Sequence, residues 1–106
     1  MRESATQYAI KQYLEIMEAQ GKVVYIKNNS GAFKTDSGSF YRMGRPGSSD
    51  FIVAVRGGVT LWLEVKTAKT KQNENQLAFQ TNIEKLGHIY KVVRSVDEVV
   101  SIIKQY

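Results

Sequence analysis

Residues 50–66, DFIVAVRGGVTLWLEVK, constrain this chain more than any other stretch. Two runs of strand-forming residues flank Arg56-Gly57-Gly58, which reads as a β-hairpin. Loop length decides the register. A two-residue loop, Gly57-Gly58, would set Asp50 against Val65 and leave Asp50 and Glu64 on opposite faces. A three-residue loop with a glycine in the left-handed conformation sets Val55 against Val59 and Asp50 against Glu64. The second register also sorts the side chains. Phe51, Val53, Val55, Val59, Leu61, Leu63 and Val65 form one apolar face, and Asp50, Ile52, Ala54, Thr60, Trp62, Glu64 and Lys66 form the other. We adopt that register. It brings two carboxylates to about 5 Å at their roots, a spacing that a hard divalent cation with oxygen ligands would satisfy. Lys66, on the same face, could hold a water or stabilise an anionic transition state. An acid-x-lysine match arises by chance in many chains, and charges are common at the end of a hairpin. The aspartate opening the preceding strand is what gives it weight.

Composition narrows the chemistry. A chain of 106 residues, 42% hydrophobic, suits one domain with a single core. With no cysteine there is no disulfide, thiolate metal site or cysteine nucleophile. One histidine, His88, cannot build a multi-histidine centre, and at the start of a strand it reads as structural. Any metal would be held mainly by oxygen, which favours magnesium or manganese over zinc. No apolar run approaches the ~20 residues of a membrane span. Glu3, Lys11 and Glu15 stand where an export signal would be apolar, so the expectation is a cytoplasmic protein. A net charge of +5 is a mild pointer to a polyanionic partner such as nucleic acid.

The remaining chain alternates helix and strand. Residues 4–20 read as an amphipathic helix, with Ile10, Leu14 and Met17 at helical spacing, Tyr13 at the edge and Gly21 as stop. Glu3 points along that stripe; on physics alone it is an acid favoured by the helix dipole. Residues 23–27 are a short strand. Residues 28–49 are rich in glycine and serine and read as a long loop or a ragged hairpin with Phe33 and Phe40-Tyr41 as rungs. Basic residues and aromatics interleave there, a plausible phosphate-contacting surface. By position, Lys27, Lys34, Arg42, Arg45, Lys69 and Lys71 are the candidates for phosphate contact. A helix capped near Asn73 follows, with Gln76, Phe79, Ile83 and Leu86 on one face. Gln76 reads equally as a capping-box partner and as a side chain aimed at the Glu64–Lys66 end of the hairpin. Residues 88–93 form a strand, and Ser95 to Glu98 a capping box opening a last helix. The helix between the hairpin and the last strand suits a right-handed crossover to a parallel strand. The expected fold is α/β, a single-domain mixed β-sheet flanked by helices, without repeats or domain boundary.

These residues resemble a known family. Gly-x-Pro-Gly-x-x-Asp at 44–50, Leu-Glu-Val-Lys-Thr at 63–67 and Gln76 in the next helix are similar to the virus-type replication-repair nuclease (VRR-NUC) family, part of the PD-(D/E)XK superfamily. The resemblance extends to Glu3 and Gln7 in the first helix and to Asn28-Asn29-Ser30-Gly31 after the first strand, nearly the whole chain in order. Ser49 stands where the family usually has proline, a residue that shapes backbone and is not a ligand. The resemblance implies a restriction-endonuclease-like (PD-(D/E)XK) core and a metal-dependent endonuclease. Asp50, Glu64 and the Val65 carbonyl would hold Mg2+, or Mn2+, with Glu3 acting through the outer shell. Lys66 would orient or activate the attacking water, and Gln76 would fix Lys66 or the scissile phosphate. Asn28, Asn29 and Ser30 would join the basic residues in contacting DNA. Short stand-alone members resemble phage-encoded homodimers that cut branched DNA such as four-way junctions, with no small-molecule cofactor. A flap or nicking nuclease is the rival enzyme reading, with residues 28–49 setting substrate choice. A catalytically silent DNA-binding module is the rival of another class; the intact set Asp50, Glu64, Lys66 and Gln76 argues against it.

Overall fold

A computed structural model describes residues 2–29 and 31–106, with side chains except at 31–33 and 42. The elements run α1 (Glu3–Ala19), β1 (Val23–Lys27), β2 (Gly31–Lys34), β3 (Phe40–Met43), β4 (Phe51–Val55), β5 (Val59–Val65), α2 (Glu74–Lys85), β6 (Ile89–Val93) and α3 (Val96–Ile103). Four strands form one sheet in the order β1-β4-β5-β6; β2 and β3 form a separate two-stranded sheet. The chain is therefore a mixed α/β sheet flanked by helices, as expected.

Register follows the three-residue loop. Val55 pairs with Val59 and Phe51 with Leu63, and Gly57 and Gly58 both take positive φ, 88° and 76°. Other residue types adopt that region only at a cost, so the glycine pair fixes the turn. β6 lies parallel to β5, with Leu61 opposite Ile89 and Val65 opposite Val93, the arrangement a crossover helix produces.

Alternation then divides the sheet into two faces. On the first, Phe51, Val53, Leu61, Leu63, Val65 and Val93 pack with Ile10 and Leu14 of α1 and Val99 and Ile103 of α3. Tyr25 ties α1 to β1: its N–H donates to Glu18 Oε1 (3.1 Å) and its hydroxyl to Glu15 Oε1 (3.2 Å). On the second face α2 lies over β5 and β6. Its Phe79 meets the rings of Trp62 and Tyr90 with centroids 5.5 and 6.1 Å apart. The β1–β4 half of that face, with Val24, Ile26 and Ala54, stays open.

Several sequence expectations shift. Helix α1 begins one residue earlier than 4–20 implies, which puts Glu3 inside its first turn. Residues 28–49 are the hairpin alternative, with Phe33 opposite Tyr41 and Lys34 opposite Phe40. Leu86 does not extend the buried stripe of α2; it is the C-cap residue and is exposed, because the helix ends there. His88 precedes β6 and is exposed. The capping box at Ser95 is half formed. Ser95 Oγ accepts from the Glu98 N–H (3.2 Å), but the Glu98 carboxylate turns to the N–H of Arg94 instead of Ser95. No described helix is long and apolar enough to cross a membrane.

Candidate active site

The site lies where β4 begins and β5 ends. Asp50 directly precedes β4, and its carbonyl accepts from the Asn28 N–H at 2.8 Å, which extends the β1–β4 ladder by one rung. The segment before it is held tightly. Asn28 Nδ2 donates to Ser48 Oγ (2.9 Å) and to the Ser49 carbonyl (2.8 Å). The buried Ser49 hydroxyl donates across Asp50 to the Phe51 carbonyl at 2.9 Å. Two hydrogen bonds thus fix Ser49 directly before the aspartate. Gly47, at φ 86°, lets this segment pass against α2. A Cβ there would lie 2.5 Å from the backbone carbonyl carbon of Asn75.

Asp50 Oδ2 accepts from the Val65 N–H at 2.8 Å. The N–H and C=O of one strand residue point to the same side of the strand. The Val65 carbonyl therefore faces Asp50, while the next N–H, of Lys66, donates to Val93 in β6 at 3.0 Å. The alternation of β5 turns Glu64 onto the α2 face, where it is 2% exposed. There Gln76 Nε2 donates to Glu64 Oε2 at 2.9 Å. The same side chain closes the capping box of α2. Its Oε1 accepts from the Asn73 N–H and its own N–H donates to Asn73 Oδ1, both at 2.9 Å. Both sequence readings of Gln76 hold at once. Because the cap claims the amide oxygen, the nitrogen is left for Glu64.

Glu64 Oε1 is buried and has no hydrogen-bond partner among the described residues. Burial first, then the neighbouring Asp50 carboxylate, push the Glu64 carboxyl up to about 9; Lys66 pulls the other way and Glu3 adds slightly to the rise. Glu3 is thus close enough to act on Glu64 through its field. Among the described residues no three acidic or histidine side chains converge to hold an ion, so Glu3 is not a third carboxylate beside Asp50 and Glu64.

Beneath Glu64 lies a cluster of which the sequence signalled only Trp62, by its place on the same face of the hairpin. The Tyr90 hydroxyl and Trp62 Nε1 are buried and make no well-formed hydrogen bond among the described residues. Burial first, then the Glu64 charge, push Tyr90 up to about 12, and the nearby Gln72 side chain pulls the other way. Arg94 was missed as well. Its guanidinium donates to the Thr67 carbonyl and, at 2.9 Å, to the Thr70 carbonyl. It thereby pins the connection after Lys66, and nothing in sequence spacing marks a residue 27 positions away as its staple.

The other candidates scatter around this centre. Lys27 sits over the Phe51 ring (5.2 Å) and Arg45 over Phe79 (5.5 Å). Asn28 is engaged in holding residues 48–49. Asn29, Lys34, Lys69 and Lys71 are exposed. Ser30 lies outside the described residues, as does the side chain of Arg42.

A solved structure described as "VRR_NUC domain" superposes on this chain with a TM-score of 0.67 at 28% sequence identity, covering 98% of this chain and 96% of its own. By this likeness the chain is VRR-NUC-like over nearly its whole length. No protein-family model matches it, and no curated protein matches it. Within this VRR-NUC-like domain, the segments 44–50 and 63–67 meet at one end of the sheet, and Gln76 reaches them from the cap of α2.

Proposed function

We propose that this VRR-NUC-like domain is a divalent-metal-dependent endodeoxyribonuclease that hydrolyses phosphodiester bonds in branched DNA, four-way junctions foremost, as a homodimer. One observation carries the reading: a buried Glu64 whose Oε1 meets no donor among the described residues and lies within reach of the Asp50 carboxylate, with a lysine on the same face. An ionised carboxylate in that position is costly unless a cation compensates it. The donors at hand are carboxylate and carbonyl oxygens, the set that suits magnesium or manganese. Asp50, Glu64 and the Val65 carbonyl would hold the ion. A bound divalent cation supplies Lewis acidity toward water and the phosphate oxygens.

The protein groups do the positioning. Val65 N–H ties up Asp50 Oδ2 and Gln76 ties up Glu64 Oε2, so each carboxylate keeps one oxygen directed by geometry for a ligand. Lys66, half-buried, places an ammonium where it can orient the attacking water or donate to a phosphate oxygen as negative charge builds. Water adds to phosphorus, one P–O ester bond breaks, and the departing oxygen takes up a proton. Glu3 acts at longer range on the charge of Glu64.

A junction with near two-fold symmetry suits two copies related by a two-fold axis. The open half of the second face, with Val24 64% and Ile26 59% exposed, offers apolar surface that such a dimer would bury. The test is cleavage of labelled four-way junction, flap and duplex in magnesium and in EDTA, beside Glu64→Ala and Lys66→Ala. Paired, metal-dependent cuts lost in both variants are expected. Binding without cutting in every divalent metal tried would sink the enzyme reading.

A further inference from the structure

The β2–β3 ribbon takes no part in the candidate site. It forms its own two-stranded sheet, and an isolated two-stranded ribbon is marginal in water without something to pack against. Both of its sides carry exposed apolar groups. Phe40 is 79% exposed, and Tyr41 and Met43, on the opposite side by alternation, are 57% and 42% exposed. Phe40 lies directly across from the exposed Lys34. Both legs of the ribbon start at the catalytic end of the sheet. One leaves from Asn28, bonded to the Asp50 carbonyl, and the other returns through residues 44–49, held by Asn28 and packed on α2 at Gly47.

We propose that this ribbon is a stacking wedge for unpaired or unstacked DNA bases, with Phe40 as the side chain that meets the base. The inference rests on the nuclease reading and deepens it by assigning the part that tells interrupted DNA from continuous duplex. An aromatic ring set beside a lysine matches what a splayed nucleotide offers, a π-face next to a phosphate. A fully paired duplex hides its base faces, so the wedge rewards branch points, nicks and single-stranded gaps. The segment from 28 to 49 carries three cations, Lys34, Arg42 and Arg45, against one anion, Asp36, which favours a polyanion over an apolar protein surface. The anchoring of both legs ties the base of the ribbon to the segment that carries Asp50. Phe40 stands at the turn end, three residues further out, where it can meet a base displaced from the stack beside the cleavage site.

The experiment uses 2-aminopurine at the branch point of a four-way junction and within a continuous duplex of the same sequence. Binding is read by fluorescence in EDTA and cleavage separately in magnesium. The wild-type protein should change the junction signal and leave the duplex signal unaltered. Phe40→Ala should abolish the change and cut the junction-over-duplex binding ratio roughly five- to a hundredfold, the range of one base–aromatic stack. Phe40→Trp should restore both. An unchanged ratio and signal in Phe40→Ala would overturn the assignment. So would a loss of dimer mass in sedimentation with the reporter unchanged, which would make the ribbon a contact between two copies. The two readings fail separately. A wild-type protein that gives the reporter change yet cuts no DNA overturns the nuclease and leaves the wedge. One that cuts while Phe40→Ala behaves identically overturns the wedge alone. Absence of any DNA binding overturns both.

Discussion

Replacing Glu64 by glutamine should stabilise the metal-free protein at alkaline pH. Glu64 ionises near 4.5 when the chain is unfolded and is pushed up to about 9 in the fold, by burial and by Asp50. Below pH 4.5 both states hold the proton and the group is neutral in the balance. As pH rises from there, the unfolded chain releases a proton that the fold keeps, so stability falls by about 1.4 kcal/mol per pH unit at the limit. Above 9 both states are ionised and the penalty stops growing. Between pH 5 and pH 8 the limiting loss is about 4 kcal/mol, and solvent screening around the partly accessible pair reduces this to about 1–3 kcal/mol. Glutamine copies the protonated acid. Its carbonyl can accept from Gln76, and its amide nitrogen takes the place of Oε1, the oxygen without a partner. Thermal unfolding in EDTA at pH 5 and pH 8 measures the effect. At about 4–8 °C per kcal/mol for a domain of this size, the wild-type midpoint should fall by about 4–24 °C more than that of Glu64→Gln. Magnesium at pH 8 should raise the wild-type midpoint, by mass action on the folded state, and leave the variant nearly unmoved. Parallel pH profiles for the two proteins, or a variant less stable than wild type at pH 8 in EDTA, would refute the reasoning.

Three further outcomes follow from the same geometry. Lys66→Met should lower the cleavage rate by about 10²–10³-fold, the usual cost of removing one electrostatic contact to a transition state, with urea unfolding showing an intact fold. Gly47→Ala must strain a positive φ and push back the backbone of Asn75. It should cost about 1–3 kcal/mol in denaturant midpoint, whereas Gly58→Ala, also at positive φ but facing open space, should cost less. Arg94→Met removes the staple on the Thr67 and Thr70 carbonyls. Trypsin should then cut at Lys69 or Lys71 faster than in wild type, read as the rate of appearance of the two fragments.

The hairpin from Asp50 to Lys66 was legible because side-chain alternation permits one register that keeps seven apolar residues together, and that register also pairs the carboxylates. The parallel β6 followed from the length of the crossover, and α2 from its cap. Residues 28–49 stayed open between loop and hairpin because their pairing buries little: β2 and β3 make a ribbon of their own, so no hydrophobic period betrays it. Arg94 and Tyr90 were out of reach for a different reason. Each matters through a contact across the sequence, Arg94 with the carbonyls after β5 and Tyr90 through its register with Trp62. Residue type alone marks none of these contacts. Leu86 misled because helical spacing continued past the point where the helix ends.

Gln76 explains why so much of the site could be read locally. A glutamine at the third position of a helix is common for capping alone, and a glutamine facing a buried acid is common at polar sites. Here one amide does both, and each role constrains the other. The cap fixes the oxygen on Asn73, which directs the nitrogen at Glu64 Oε2; that bond in turn leaves Oε1 buried beside Asp50 without a donor among the described residues. The start of α2 is further set by Gly47 packing on Asn75, one residue before Gln76. The glycine of the 44–50 motif, the aspartate that ends it, the glutamate of β5 and the cap of α2 therefore form one mechanical unit. Its charge state is decided by geometry that folding itself imposes. A change at Gly47 should therefore alter the magnesium-induced rise of the unfolding midpoint as well as the stability of the fold.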